Sequence, residues 1–318
     1  MLKPLTVGRG NWNPLDQSAF HDWAWQALHL YQWAVDSLMF NALLRRRVRL
    51  KAGYWPHIRK PRSYNEFILH RKLYDRSEWL GAVDKYYMRE FAVQKLGRQQ
   101  AEKLLLPLLH VTDRPESIPF DELGEKYIIR ASHGCGWNIY AENPTEAEKK
   151  KIVRLCRRWL KMRYALHNHE WAYTFHKPKI VIEPFIDAPG ELGLVEIKLH
   201  MIWGKLAMVQ YNLDLTSDLK GTYYYPDWSV AAHTSPGREV PGDPWIPDFY
   251  PEMLSVAEGL SAGTDQLRVD FLTTEDRFIL SECTVYSSAG MRKFSPRELD
   301  FELGALWKAG MQRSREGR

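Results

Sequence analysis

Runs of strand-forming residues joined by short turns mark two hairpins in the second half of the chain, and apolar and polar residues alternate cleanly over residues 195–201. The first joins residues 195–201 to residues 205–212 across a Trp-Gly turn. The second joins residues 267–272 to residues 278–284 across the polar turn 273–277. Period-2 alternation on both sides of a short polar connection is typical of antiparallel hairpins. The sequence therefore predicts antiparallel pairing in this region.

The second predicted hairpin carries charged residues on one face. A turn centred on Asp276 places Asp270 opposite Glu282, and Arg268 opposite Thr284. Two facing carboxylates repel each other unless a cation lies between them. Oxygen ligands from two strands suit Mg²⁺ that holds the phosphates of a nucleotide. The alternative from this stretch alone is a solvated hairpin with scattered charges.

Helical spacing of apolar residues dominates the N-terminal part. It predicts one tryptophan-rich helix over residues 14–50 that runs into the basic segment Arg45–Lys51. Such a helix either packs on its own domain or a partner, or lies on an anionic membrane. Further helices are predicted at 67–74, 83–96, 145–164, 252–260 and 298–309, buried strands at 104–111 and 179–186, and a frayed tail at 312–318.

A glycine-containing turn, Ser132–Asn138, interrupts a strand pattern that starts at Lys126 and resumes at Ile139. Glycine lets backbone amides approach a phosphate closely and permits positive φ. The turn is neither a Walker A loop nor a dinucleotide fingerprint, because no Gly-Lys-Ser/Thr and no helix follow it. Arg130 adds a permanent cation beside the turn. An ordinary hairpin is the alternative.

The segment Glu183–Ile186 closes a buried strand. Its backbone donors and acceptors, together with the Glu183 carboxylate, could hold adenine and its exocyclic amine. The alternative is an ordinary strand exit at a proline.

Composition narrows the function classes. A net charge of +5 over 318 residues is mildly basic and fits an anionic small ligand or an anionic membrane face better than a nucleic acid. Three widely spaced cysteines disfavour a disulfide framework or a zinc site. We see neither a signal peptide nor an apolar run long enough to span a membrane. The expectation is a cytoplasmic protein, soluble or peripheral at the inner membrane face.

Taken in order, these elements resemble the ATP-grasp fold. The likeness is closest to the TupA-like ATP-grasp group found in polysaccharide and teichuronopeptide gene clusters, and it spans Lys60 to Gly304. The segments that carry it are Pro61–Glu66, Lys72–Arg76, Val83–Tyr86 with Arg89, Ser132–Asn138, Ile182–Glu183, Lys198, Asp227–Trp228, Arg268–Asp270, Glu282–Thr284 and Lys293–Pro296.

The resemblance implies an α/β protein whose α+β lobes grip ATP in the ATP-grasp fold, with a helical N-terminal extension. The expected units are the extension 1–59, a pre-ATP-grasp α/β lobe 60–125, a subdomain with the glycine turn 126–186, a subdomain with the metal site 187–311 and a flexible tail 312–318.

The resemblance also implies roles for individual residues. Arg268 would steady the transferring phosphate, and Lys198 would face it or the substrate. Arg130 stands where related sequences usually carry lysine; it keeps the charge with a different geometry. The expected nucleotide ligands are Lys85, Arg130, His133, Gly134, Gly136, Trp137, Asn138, Glu183, Phe185, Ile186 and Glu191, and the expected Mg²⁺ ligands are Asp270, Glu282 and Thr284.

The implied activity is ATP-dependent ligation of a carboxylate to an amine, on a uronic acid or similar group of a surface polysaccharide. Two alternatives belong to the same fold: a phosphotransferase, and a catalytically silent nucleotide-binding partner of an assembly complex. The expected partners are a carboxylate substrate and an amine, with residues 14–51 as a candidate contact to membrane or protein and no nucleic acid.

Overall fold

A computed structural model of the protein describes residues 2–3, 19–39, 41–188, 193–213, 220–233 and 237–316. Helices and strands are both abundant in it, as the predicted fold class requires. The helices are α1 (Ala19–Leu38), α2 (Ala42–Ala52), α3 (Tyr64–Tyr74), α4 (Met88–Leu96), α5 (Arg98–Leu104), α6 (Glu146–Lys161), α7 (Tyr250–Ser261) and α8 (Glu298–Glu316). The strands are β1 (Leu2–Lys3), β2 (His110–Thr112), β3 (Lys126–Ala131), β4 (Asn138–Glu142), β5 (Ile180–Pro184), β6 (Val195–Ile202), β7 (Lys205–Leu213), β8 (Lys220–Tyr224), β9 (Val230–His233), β10 (Gln266–Thr273) and β11 (Phe278–Thr284).

The smaller of two antiparallel sheets has the strand order β1-β4-β3-β5-β2. Helix α6 covers it and buries Ile152, Cys156 and Trp159 against the apolar residues of β3 and β4. The predicted capping box that starts this helix is present, because Thr145 and Glu148 bond each other's backbone amides. The glycine turn therefore joins two strands of a sheet that is packed against α6.

The larger sheet has the order β11-β10-β6-β7-β8-β9, and both predicted hairpins lie in it. The register of the β10–β11 hairpin is the predicted one, with Asp270 opposite Glu282 and Arg268 opposite Thr284. Strand β6 is buried along its whole length between β10 and β7. Charged residues on this strand are therefore enclosed inside the protein.

Helix α3 supports the large sheet with polar side chains that are themselves buried. Arg71 is 2% exposed and donates to Gln266 Oε1 at 2.7 Å, to the Val285 carbonyl at 2.8 Å and to Asp265 Oδ1 at 2.5 Å. Lys72 donates to the Ala289 carbonyl at 3.0 Å. These bonds fix the start of β10 and the segment that follows β11.

The predicted N-terminal helix is two helices. Asn41, at φ 62°, stands in the left-handed region and separates α1 from α2. The buried Asp36 carboxylate accepts from the backbone amides of Leu43 and Leu44 and from His169 Nε2 at 2.9 Å. The extension thus packs on the body of the protein.

The outward face of α1 nevertheless exposes Trp23, Tyr31 and Leu38. A contact of this exposed face with a partner or a membrane therefore stays a prediction, and residues 14–18 and 40 of the segment lie outside the described part. Among the helices that the structure describes, none has the length and apolar character of a membrane span.

Other local predictions differ from the structure. The strand expected over 104–111 is wrong, because α5 ends at Leu104 and β2 begins only at His110. Helix α8 continues through the expected frayed tail to Glu316. Helices α3, α4 and α5 share a hydrophobic core with the large sheet, while the predicted boundaries between the lobes stay a prediction.

Replacing Arg71 by methionine should lower the free energy of unfolding by about 3–5 kcal/mol, because Asp265 and several carbonyl acceptors lose a buried cationic donor. Urea denaturation followed by far-UV circular dichroism measures the change. Arg98→Met is the matched control, since Arg98 is exposed on α5 and should shift stability by no more than about 0.5 kcal/mol. Equal effects of the two substitutions would contradict the role of Arg71.

Candidate active site

One row of side chains crosses the large sheet at right angles to its strands. Backbone register pairs Glu282 with Asp270, Asp270 with Lys198, and Lys198 with Gln210. Partners in an antiparallel register point to the same face of the sheet. Three predicted site residues from three strands therefore meet on one polar face.

Asp270 is the centre of this face. Its carboxylate is buried and accepts from Lys198 Nζ at 2.7 Å and from Arg268 Nε and Nη2 at 2.6 Å each. Burial by itself would raise the pKa of Asp270, but the neighbouring Arg268 and Lys198 outweigh burial and lower it. The carboxylate is therefore ionised at neutral pH.

The two cations have further partners. Lys198 Nζ lies 2.7 Å from Glu196 Oε1, and Arg268 Nη2 donates to Thr284 Oγ1 at 2.9 Å. Burial opposes the charge of Lys198, yet Asp270 and Glu196 raise its pKa above the ordinary lysine value. Lys198 therefore remains an ammonium group inside the protein.

Lys85 connects this face with the glycine turn. Its ammonium donates to the Gly134 carbonyl at 2.6 Å and lies 3.7 Å from Glu282 Oε1. The backbone around it is fixed by Asp84, which accepts from Ser132 Oγ at 2.7 Å, while Lys85 N donates to the Ser132 carbonyl at 3.1 Å. Lys85 thus joins the glycine turn of the small sheet to Glu282 on the large sheet.

The two ring side chains of the glycine turn, His133 and Trp137, face the core of the small sheet. His133 is buried and its Nε2 bonds the Trp159 and Met162 carbonyls at 3.1 and 3.2 Å, and Trp137 stacks parallel to Trp159. These side chains face the core under α6, so their predicted contact with phosphate is left to the turn's backbone. Asn138 is the partner of Arg130 in the β3–β4 register.

Gly134 is required by the packing of Trp137. A Cβ atom at Gly134 would stand 2.7 Å from Trp137 Cε3. Trp137 is held by Trp159 on one side and by Tyr164 at 5.3 Å between ring centres on another, so it has little room to shift. Gly136, by contrast, has open space beside it. Glycine is favoured there because its φ of 75° lies in the left-handed region.

Arg130 and Glu183 form a pair at the predicted nucleotide end. Arg130 Nε donates to Glu183 Oε2 at 3.1 Å, its Nη2 contacts the same oxygen, and Arg89 Nη1 lies 3.7 Å from Glu183 Oε1. Glu183 is thus shared by two arginines. Phe185 N donates to the Lys126 carbonyl at 3.3 Å.

Ile186 is buried directly after this strand end. The predicted adenine contacts of Glu183, Phe185 and Ile186 stay a prediction. Glu191, the expected ribose ligand, lies outside the described residues.

The carboxylates fit a hard cation by their chemistry. Glu282 and Asp270 offer the oxygen donors that Mg²⁺ prefers, and the Glu282 side chain is 22% exposed. Lys198 and Arg268 occupy the oxygens of Asp270 and supply the positive charge that the facing carboxylates require. In the described part of the chain no group of three or more His, Cys, Asp or Glu residues is arranged to hold a metal.

The family model for TupA-like ATP-grasp proteins matches residues 66–308, which include the row on the large sheet, Lys85 and the glycine turn. The chain belongs to the TupA-like ATP-grasp family. The predicted ATP-grasp fold is confirmed by this match. A search of curated proteins returned no match.

Several solved ATP-grasp structures are weakly similar. The ATP-grasp ligase PsnB complexed with its minimal precursor matches at 11% identity and TM-score 0.36, over 65% of this chain and 53% of that chain. D-alanine–D-alanine ligase from Bacillus anthracis complexed with ATP matches at 12% identity and TM-score 0.40, over 72% and 68%. D-cycloserine synthetase DcsG matches at 12% and 0.40, over 72% and 70%. The chain spans little more than half of PsnB, and the family assignment rests on the family model.

Two buried carboxylates near these residues were given no role in the sequence analysis, although Asp84 lies in a segment that carries the resemblance. Glu196 and Asp84 are both buried and hold Lys198 and Ser132 in place. Alternation along β6 already put Glu196 on the face of Lys198, which was a usable signal. Nothing local connects Asp84 with Ser132, because 48 residues separate them.

A double-mutant cycle tests the packing of the glycine turn. Gly134→Ala should be coupled to Trp137→Leu by about 1 kcal/mol or more, since the smaller side chain relieves the clash. Gly136→Ala with Trp137→Leu is the control and should be additive within about 0.5 kcal/mol. Free energies of unfolding in urea give both values. Additivity at Gly134 would show that Trp137 does not confine the turn.

Proposed function

We propose that this protein is an ATP-dependent carboxylate–amine ligase. The observation that carries the proposal is the row from Glu282 through Asp270 to Lys198, which faces Lys85 and the glycine turn within the segment matched by the family model. Cations of the large sheet and backbone donors of the glycine turn, which Lys85 joins, suit a triphosphate. PsnB and D-alanine–D-alanine ligase are ligases, and DcsG is a synthetase.

The reaction has two steps. A substrate carboxylate attacks the γ-phosphorus of ATP, which forms an acyl phosphate and releases ADP. An amine then attacks the acyl carbon, the C–O bond to phosphate breaks, and the amine loses a proton as the amide forms. No protein nucleophile is consumed in either step, so positioning and electrostatics are the protein's contribution.

The chain's own residues divide that work. Lys85 and Arg130 bind phosphate oxygens, and the amides of the glycine turn cover them. Arg268 and Lys198 stabilise the negative charge that develops on the transferring phosphate, since Asp270 holds both at fixed positions. Glu282 and Asp270, with Thr284 beside them, would hold Mg²⁺, which supplies neutralising charge to the triphosphate when it is bound.

Substrate class and location belong to the same proposal. A uronic acid or similar carboxylate of a surface polysaccharide fits the TupA-like family, and the protein would act in the cytoplasm. The exposed aromatic face of α1 and the basic helix α2 support a peripheral contact of residues 14–51 with membrane or protein.

Glu282→Gln and Asp270→Asn should each reduce turnover by at least about a hundredfold. Uronic acids and amines are screened with ATP and Mg²⁺, following phosphate release and product mass. Glu275→Gln, in the exposed turn of the same hairpin, is the matched control and should retain activity. Because Asp270 is buried, Glu282→Gln is the decisive variant, and near-normal turnover in it would overturn the metal assignment.

The products distinguish the alternatives. ADP, free phosphate and an amide support the ligase. A stable phosphorylated product would instead establish a phosphotransferase, and Mg²⁺-dependent stabilisation by ATP without any turnover would establish a silent nucleotide-binding protein.

A further inference from the structure

Helix α1 is amphipathic in the reverse of the usual sense, because it buries polar side chains and exposes apolar ones. Its inward side carries Asp22, His29 and Asp36, which are at most 8% exposed and follow one another at intervals of seven residues. Residues seven apart lie on one side of an α-helix, since seven residues make almost two turns. Trp25 is partly buried and packs on the core of the small sheet. A helix on the surface of a soluble domain usually buries an apolar stripe instead.

Two ionic contacts fix the rotation of α1 about its own axis. The Asp22 carboxylate accepts from Arg158 Nη2 on α6 at 2.8 Å and also contacts Arg158 Nε. The Asp36 carboxylate accepts from His169 Nε2 at 2.9 Å and caps the first amides of α2. Turning α1 to bury its apolar side would break both contacts and uncap α2. The protein therefore holds the apolar side of α1 outward.

This outward side is uncharged. Among the residues of α1 whose side chains the structure describes, every exposed one is neutral. The exposed large apolar side chains on α1 and at the residue that follows it include Leu28, Leu30, Tyr31, Trp33, Leu38 and Met39, with exposed fractions from 46% to 82%. They extend over about three turns of helix. An apolar surface of this extent marks a site of contact with a protein or a membrane.

Helix α2 exposes cations close to the end of α1. Arg46, Arg49 and Leu50 are exposed and lie about one helical turn apart on the same side of α2. The Arg49 guanidinium carbon lies 5.2 Å from the centre of the Trp55 ring, which is itself exposed. Because α2 has only 11 residues, these cations lie within about 20 Å of the end of α1. Cations and apolar side chains are thus exposed together.

The charge of this region has a single sign. Residues 37–65 contain eight Lys or Arg residues and no Asp or Glu. The exposed ones are Arg46, Arg49, Lys51, Arg59, Lys60 and Arg62. Protein interfaces match charges of opposite sign, and a second copy that met the same surface would bring like charges together. A cluster of cations beside an amphipathic helix suits anionic lipid headgroups.

We propose that α1 and α2 dock the protein on the surface of an anionic lipid bilayer. Helix α1 lies in the plane of the interface, with Tyr31, Trp33 and Leu38 at the boundary between headgroups and acyl chains, and Arg46 and Arg49 contact headgroup phosphates. Tyrosine and tryptophan suit this depth, because each has an apolar ring and a polar atom that stays hydrated. The docking does not depend on the proposed ligase activity.

Co-sedimentation of the full chain with lipid vesicles tests the docking. Vesicles of phosphatidylcholine alone are compared with mixed vesicles of equal parts phosphatidylcholine and phosphatidylglycerol. We expect the protein to bind the mixed vesicles and to bind phosphatidylcholine at least about tenfold more weakly, because anionic headgroups attract the exposed cations. Added salt should weaken binding to the mixed vesicles, since it screens this attraction.

The apolar contribution is measured by removing two side chains of α1. Tyr31→Ser combined with Leu38→Ser should weaken binding to the mixed vesicles about tenfold or more, because both apolar groups leave the interface. Val230→Ser combined with Leu306→Ser is the matched control, since these residues are exposed on β9 and α8. The control should bind as the unmodified protein does. Both double variants should keep the Tm, because the substituted side chains are exposed.

The ionic contribution is measured by charge reversal on α2. Arg46→Glu combined with Arg49→Glu should weaken binding to the mixed vesicles about tenfold or more and leave the binding to phosphatidylcholine unchanged. Arg98→Glu combined with Arg277→Glu changes the net charge equally at exposed positions elsewhere and should retain binding.

Other occupants of this surface would give different results. A concentration-dependent dimer in sedimentation equilibrium that Tyr31→Ser with Leu38→Ser abolishes, without vesicle binding, would assign the surface to a second copy. A monomer that binds neither kind of vesicle would overturn the docking, as would vesicle binding that the α1 and α2 variants leave unchanged. None of these measurements requires ATP, so failure of the docking and failure of the ligase function are separate results.

Discussion

The site depends on one buried carboxylate. Asp270 is enclosed by strands on both sides, and an ion in such a place must be paired or lose its charge. Lys198 and Arg268 meet that requirement from the neighbouring strand and from two residues away on the same strand. A one-residue slip of β10 against β6 would bury Asp270 away from Lys198, so the pairing also favours the observed register.

Helix α3 also depends on buried polar side chains that have hydrogen-bond partners. On this helix, Tyr64 bonds His200 and Asn65 bonds Arg292. Arg71 bonds the start of β10, and Lys72 bonds the segment after β11. A single helix thus contacts β6, β10 and the segment after β11. Because its polar contacts are buried, small displacements of α3 would be transmitted to the sheet instead of being absorbed by solvent.

The sequence predicted the structure correctly where the spacing of neighbouring residues determines it. Alternation in β10 and β11 was enough to predict that Asp270 faces Glu282, and the Thr145 capping box was readable from spacing alone. The sequence did not predict features that depend on contacts between residues far apart in the chain. The break at Asn41 follows from Asp36 capping α2, and the inward direction of His133 follows from the carbonyls at the end of α6. The contact of Tyr64 OH with His200 Nδ1 joins two residues that no local pattern connects.

The internal pairing has a kinetic consequence. Three cations, Lys85, Lys198 and Arg268, stand against three carboxylates, Asp270, Glu282 and Glu196, so this cluster has no net charge. A neutral site exerts little long-range attraction on a polyanion. This cluster therefore adds little to the long-range attraction of a nucleotide, and its contribution to the encounter rate should respond only weakly to ionic strength.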